Sequence, residues 1–74
     1  MRVKFGNKIF ESDKIIYPGG RGNELFVSIL GRSYEVTCVT EKLAKSLFDQ
    51  AFINGYVDFN RDDVDYDNSG SWKL

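Results

Sequence analysis

The chain has 74 residues, of which 42% are hydrophobic, and a formal net charge of -1. A chain of this length has room for one core, and its apolar fraction is too high for a disordered segment. The small net charge provides no overall attraction to nucleic acid or to an anionic membrane. The charge is unevenly distributed, because residues 1–37 carry six basic and four acidic side chains and residues 38–74 carry four basic and seven acidic ones.

The first predicted element is a β-hairpin in which residues 2–5 and 8–11 flank a Gly-Asn pair. Two registers agree with this pattern. A two-residue loop places Phe5 opposite Lys8, whereas a three-residue loop places Phe5 opposite Ile9. The sequence leaves both registers open.

A short third strand is predicted at residues 15–17, an apolar run that ends at Pro18. Residues 18–23 contain three glycines and predict a flexible loop. No P-loop lysine and no helix follow these glycines, so we assign them no phosphate ligand.

Residues 24–39 predict a second hairpin, whose strands alternate apolar and polar residues. A glycine at the first central position favours a type II′ turn at Gly31-Arg32, which pairs Ile29 with Tyr34. This register places six apolar side chains on one face of the sheet. They are Leu25, Val27, Ile29, Tyr34, Val36 and Cys38.

The apolar period changes over residues 41–54, which predict an amphipathic helix. Thr40 is the predicted N-cap, and Gly55 lies at the predicted C-terminal stop. The apolar side chains form two adjacent rows on the helix. These rows are Leu43, Leu47 and Ala51, and Ala44, Phe48 and Phe52. We expect this face to pack on the apolar face of the second hairpin.

Residues 56–60 alternate in a way that predicts a C-terminal edge strand. The sequence therefore predicts one α+β domain over residues 1–60, in which a small antiparallel sheet packs on a single helix. The sheet consists of a hairpin, a short strand and a second hairpin. Residues 61–74 predict an acidic, aromatic-containing tail of irregular structure.

Histidine is absent and cysteine occurs once, at Cys38, so neither a Cys/His zinc site nor a His-dependent catalytic triad can form. Cys38 lies at an apolar strand position, where we expect an inert thiol. No disulfide can form within the chain, no apolar run is long enough to span a membrane, and no signal-peptide pattern is present. We therefore expect a cytoplasmic protein that is not an enzyme and has no cofactor.

Asp65–Gly70 matches the first six positions of a calcium-binding loop. The bidentate glutamate that closes such a loop would lie beyond Leu74, and no helix clearly precedes the segment. Because Ca²⁺ takes about six to eight oxygen ligands, we expect no metal site here.

The acidic end of the chain interleaves carboxylates with large apolar side chains. Carboxylates along a strand or loop can occupy a basic groove of a partner, while aromatic rings supply contact area. The candidate partner-binding residues are Asp58, Phe59, Asp62, Asp63, Asp65, Tyr66, Asp67 and Trp72. The simpler interpretation is a charged tail that keeps the chain in solution.

The favoured function is a non-enzymatic protein-interaction module of the accessory, adaptor or inhibitor type. It would act through its open sheet face or edge and its acidic tail, on another protein or by self-association. Chains of this size and class are common among accessory proteins and phage or mobile-element products, which is an association of size class only.

The alternative is a weak single-stranded nucleic-acid binder that uses the N-terminal sheet face. Such a site needs stacking rings beside cations. The candidates are the rings of Phe10, Tyr17 and Phe26 and the cations of Arg2, Lys4, Lys8, Lys14 and Arg32.

Overall fold

The computed structural model describes residues 1–18 and 22–66. These residues form seven strands and one helix, which confirms the α+β class. The strands are β1 (Arg2–Phe5), β2 (Lys8–Glu11), β3 (Lys14–Ile16), β4 (Glu24–Ile29), β5 (Arg32–Cys38), β6 (Tyr56–Asp58) and β7 (Val64–Tyr66). The helix α1 (Glu41–Asn54) has the predicted bounds, and the Thr40 hydroxyl accepts a hydrogen bond from the Leu43 N–H at 3.1 Å as its N-cap.

The strands form two sheets where the sequence predicted one. Sheet 1 has the order β2-β1-β6, and sheet 2 has the order β3-β4-β5-β7. The predicted edge strand after the helix is present as β6, but it pairs with β1 in parallel, whereas the other pairs of described strands are antiparallel. Alternation along a strand shows which face is apolar and does not show which strand lies beside it. The sequence pattern therefore could not identify the parallel pair.

The first hairpin has the two-residue loop, with Phe5 opposite Lys8. Gly6 in this loop has a φ of 59°, a conformation that glycine adopts without steric cost. Of the two registers compatible with the sequence, the structure therefore selects the shorter loop.

The turn of the second hairpin lies at Leu30-Gly31, so the predicted turn at Gly31-Arg32 was wrong. Ile29 pairs with Arg32, and the two turn residues have φ values of 52° and 78°. Positive φ at both central residues is the mark of a type I′ turn, whose twist matches that of the strands. The Gly31 N–H also donates to Asp13 Oδ2 at 3.3 Å. The turn moves by one residue and the partner of Ile29 by two, from Tyr34 to Arg32, so the predicted apolar face is unchanged.

One hydrophobic core lies between the two sheets and α1. Sheet 1 and the residue after β6 supply Val3, Phe5, Val57 and Phe59, sheet 2 supplies Ile15, Leu25, Val27, Ile29, Tyr34, Val36, Cys38 and Val64, and α1 supplies Ala44, Leu47 and Ala51. The helix packs on β4 and β5 as predicted, and also on β3 and β6. The second predicted helix row is only partly buried, because Phe48 is half-buried and Phe52 is 59% exposed.

The chain passes from sheet 1 to sheet 2 at Ser12, the one buried polar residue in the described part of the chain. Its Oγ lies 2.9 Å from the carbonyl oxygen of Ser28 and 3.0 Å from that of Lys14. Its main-chain N–H donates to the carbonyl oxygen of Met1 at 2.8 Å. Because a buried hydroxyl without hydrogen bonds is costly, these contacts allow the crossing to lie inside the protein.

Asn60 joins the sheets at the opposite end. Its Oδ1 accepts from the Gly6 N–H and its Nδ2 donates to the Gly6 carbonyl oxygen, both at 2.7 Å. The Tyr66 hydroxyl of β7 donates to the same Oδ1 at 3.2 Å. β7 pairs with β5, so residues 64–66, predicted to be irregular, belong to sheet 2. Residues 67–74 of the predicted tail lie outside the described residues.

The turn geometry predicts opposite effects for two neighbouring substitutions. Leu30→Asn should raise the free energy of unfolding by about 0.5–1 kcal/mol, since asparagine tolerates the left-handed conformation better than leucine. Gly31→Ala should lower it by about 1 kcal/mol, since open space around Gly31 leaves only the cost of positive φ. Urea unfolding followed by circular dichroism measures both.

The first of these variants, Leu30→Asn, also tests the register. With a turn at Gly31-Arg32, Leu30 would be a strand residue and asparagine there would lower the urea midpoint. A lower midpoint for Leu30→Asn would therefore contradict the turn observed here.

Candidate functional site

The predicted partner contact at Phe59 was wrong. The side chain of Phe59 is fully buried, and its ring stacks on that of Phe5 with the centroids 5.1 Å apart. Phe59 follows the alternation that already turns Val57 toward the core, so the same pattern could have excluded it as a contact. Phe59 continues the pairing of β6 with β1 by one more hydrogen bond, since its N–H donates to the Lys4 carbonyl oxygen at 3.0 Å.

Tyr66, a second predicted contact, is half-buried. Its ring is tilted by 66° to the ring of Phe5 in an edge-to-face arrangement, with the centroids 5.1 Å apart, and its hydroxyl bonds to Asn60. Both interactions hold the ring against the protein. Two further predicted contacts, Asp67 and Trp72, lie outside the described residues, as does most of the calcium-like segment.

The four predicted carboxylates of the described acidic segment have different surroundings. Asp58 Oδ1 accepts from the main-chain N–H of Asn60 at 2.9 Å, which stabilises the turn after β6. Asp63 forms a two-bond ion pair with Arg61, at 2.8 Å to Nε and 3.1 Å to Nη2. Asp62 and Asp65 are exposed beside an open depression of about 420 Å³. Across residues 1–18 and 22–66, no three acidic, cysteine or histidine side chains are grouped to hold a metal ion.

The Arg61–Asp63 pair determines the local electrostatics. The hydrogen bond from Arg61 lowers the pKa of Asp63, and the same bond raises the pKa of Arg61. Burial raises the pKa of the nearby Cys38 thiol, and the negative charge of Asp63 adds to this effect. Cys38 is 2% exposed, so its thiol is buried and protonated, as expected of an inert core residue.

The predicted basic face of the N-terminal sheet is interrupted by carboxylates. On the outer face of sheet 1, Arg2 lies beside Glu11 of β2 and Lys4 lies beside Asp58 of β6. Lys8 pairs with Phe5 and so is not on the face of Arg2 and Lys4. Lys14 and Arg32 belong to sheet 2. These cations therefore do not form the continuous positive groove that a single-stranded nucleic acid needs.

The three rings proposed for stacking also lie apart. Phe26 is on the outer face of sheet 2, between Ile16 and Glu35. Phe10 packs against the core with its ring centroid 6.4 Å from that of Phe5, and Tyr17 contacts α1. The single stacking face expected from the sequence is not formed.

A different aromatic surface runs from the end of β3 along the side of α1. The ring centroids of Tyr17 and Phe48 are 5.9 Å apart, and those of Phe48 and Phe52 are 4.8 Å apart. The Tyr17 hydroxyl donates to Glu41 Oε1 at 3.1 Å, which holds the first ring in place. We call Tyr17, Phe48 and Phe52 the aromatic ridge. Sequence reasoning missed it because it assigned the whole second helix row to the core.

An open depression of about 500 Å³ adjoins the N-terminal end of this ridge. It is lined by Tyr17, Thr40, Glu41, Lys42 and Lys45. At the other end of the helix, Phe52 is 59% exposed and Ile53 is 80% exposed. Ile53 lies outside both predicted apolar rows, so the sequence could have shown that this one side chain is exposed, but it gave no such signal for Phe52.

Comparison with models of protein families, with curated proteins and with solved structures finds no match to this chain. Among the residues described, no helix is both long enough and apolar enough to cross a lipid bilayer. The functional argument therefore rests on the geometry of the chain itself.

The Arg61–Asp63 pair predicts a pH-dependent contribution to stability. Because the folded-state pKa of Asp63 is lowered, the pair stabilises the fold above the ordinary carboxyl pKa, and this is lost as the pH falls through the lowered value. Arg61→Gln should raise the pKa of Asp63 toward its ordinary value in a carboxyl-carbon NMR titration. Lys45→Gln, which removes a cation from α1, should leave it unchanged. An unaltered pKa in Arg61→Gln would show that the ion pair does not form in solution.

Proposed function

We propose that this chain is a non-enzymatic protein-interaction module and that the aromatic ridge is its contact surface. The observation that carries the proposal is the exposure of Phe52, 59% accessible while its ring contacts that of Phe48. Fully burying a phenylalanine side chain is worth about 1.5–3 kcal/mol, so a partner that covers Phe52 gains part of this free energy. Aromatic side chains of this kind dominate the centres of protein interfaces.

The rings of the aromatic ridge are held in fixed positions, which favours binding. Phe48 and Phe52 lie on a capped helix whose inner face is anchored by Ala44, Leu47 and Ala51. Tyr17 is held by its hydrogen bond to Glu41. Because these rings are already positioned, a partner would pay little conformational entropy to order them.

The acidic segment has a smaller part in this proposal. Of its predicted contact residues, Phe59 is buried and Asp63 is paired, while Asp62 and Asp65 are exposed. Exposed charges mainly affect the rate and specificity of association. They could favour a partner with a basic rim, with the ridge supplying most of the affinity. The non-enzymatic character rests on the lack of histidine and on the burial of the one thiol.

Photo-crosslinking tests the proposal. A benzophenone amino acid replaces Phe52 in one variant and Gln50, exposed on the opposite side of α1, in a matched control. In cells that express the chain, irradiation should give a protein adduct of discrete mass from position 52 and none from position 50. Mass spectrometry then identifies the attached protein.

Three results would count against the proposal. The same adducts from both positions, or none from position 52, would mean that the ridge is not a contact surface. An adduct removed by nuclease would favour the nucleic-acid alternative.

A further inference from the structure

We infer that two copies of this chain pair through antiparallel α1 helices, with Phe52 of each copy seated in the depression at the N-terminal end of the other helix. This inference rests on the proposed function, since it names a second copy as the occupant of the aromatic ridge. The observations that carry it are the position of the depression, the spacing along the helix and the pattern of charge.

The exposed ring and the depression lie on one side of the same helix. Phe52 is near its C-terminal end, and Glu41 lines the depression at its start. Eleven residues separate these positions, which is about three turns and about 16 Å along the axis. An antiparallel second copy exchanges the two ends, so each exposed ring faces a depression. The contact is therefore made twice by one two-fold axis.

The side chains between these ends have the spacing of a helix-pairing seam. Glu41, Lys45, Phe48 and Phe52 follow one another at intervals of four, three and four residues. With Phe52 opposite Glu41 of the second copy, Lys45 lies opposite Phe48 of that copy. A lysine ammonium over an aromatic face is a favourable cation–π contact. The seam thus offers a suitable neighbour to each of the two central residues.

The flank of the seam is complementary in charge. Lys42 and Asp49 are exposed, have opposite signs and lie seven residues apart on one side of α1. In the antiparallel arrangement, Lys42 of each copy approaches Asp49 of the other, which gives two symmetric ion pairs. In a parallel pair about a two-fold axis, opposite flanks of the two helices meet, so Lys42 and Asp49 would lie apart from their counterparts and no such ion pair would form. Charge therefore selects the antiparallel direction.

The size of this contact surface limits the affinity of the dimer. A stable protein interface buries about 800 Å² on each partner, and a seam along one 14-residue helix provides less. We therefore expect a weak dimer whose population rises with concentration. Sedimentation velocity over a concentration series of the purified chain measures it.

The first pair of variants tests the exposed ring. Phe52→Ala should raise the dimer dissociation constant roughly a hundredfold, because the ring is lost from both symmetric contacts. Ile53→Ala removes the more exposed neighbour, which lies outside the seam, and should leave the constant unchanged within about twofold. Circular dichroism confirms that both variants are folded. Equal effects of the two substitutions would overturn the proposed contact.

The second set of variants exchanges charges. Lys42→Asp and Asp49→Lys each replace attraction by repulsion at both ion pairs and should weaken the dimer roughly tenfold. The double variant restores two ion pairs of reversed polarity and should dimerise like the original chain. An equimolar mixture of the two single variants should form a heterodimer for the same reason. Failure of both rescues would overturn the antiparallel register.

The outcomes separate this inference from the proposed function. A chain that stays monomeric up to millimolar concentration overturns the inference. If position 52 still crosslinks to another protein in cells, the ridge is a contact surface and its occupant is that protein. If position 52 gives no adduct either, both proposals are wrong.

Discussion

The parallel pairing of β1 with β6 is the contact on which the rest of the structure depends. It joins the N-terminal strand to the strand that follows α1, so the helix must return across the core. The junction is tightly bonded: Gly55, which ends the helix with a φ of 68°, accepts a hydrogen bond from the Arg2 N–H at 2.8 Å. Phe59 then enters the core against Phe5, and Asn60 bonds to Gly6 just beyond it. Sheet 1, sheet 2 and the helix thereby enclose one shared core.

The way the helix packs on the two sheets determines which of its apolar side chains stay outside the core. Small residues on the inner face of α1, among them Ala44 and Ala51, allow the helix to lie close to the sheets. The larger Phe48 and Phe52 lie at the side of the helix. The neighbouring strand there, β3, is only three residues long, and the Tyr17 ring that follows it contacts Phe48. The aromatic ridge is therefore the part of the apolar stripe that the fold does not cover. The outer faces of the sheets mix charged side chains such as Arg2 and Lys4 with single exposed apolar ones such as Ile9 and Ile16.

Of the candidate site, the sequence analysis located the acidic segment and missed the ridge. The two aromatic residues of the acidic segment that the structure describes serve the interior, because Phe59 and Tyr66 both contact Phe5. Composition cannot distinguish an aromatic ring that closes a core from one that binds a partner, since both are apolar side chains among charges. The distinction depends on which surfaces face each other, and this makes α1 the better candidate for a contact.

The sequence by itself determined the bounds and caps of α1 and the apolar face of the second hairpin. Capping, helical periodicity and strand alternation act over a few neighbouring residues, so they can be read without knowledge of the rest of the chain. Only the tertiary structure decided the Leu30-Gly31 turn, because moving the turn by one residue shifts the strand pairing by two and so preserves alternation. The tertiary structure also decided the parallel pairing of β1 with β6, the strand at residues 64–66 and the exposure of Phe52. These features depend on contacts between distant residues, about which local pattern carries no information.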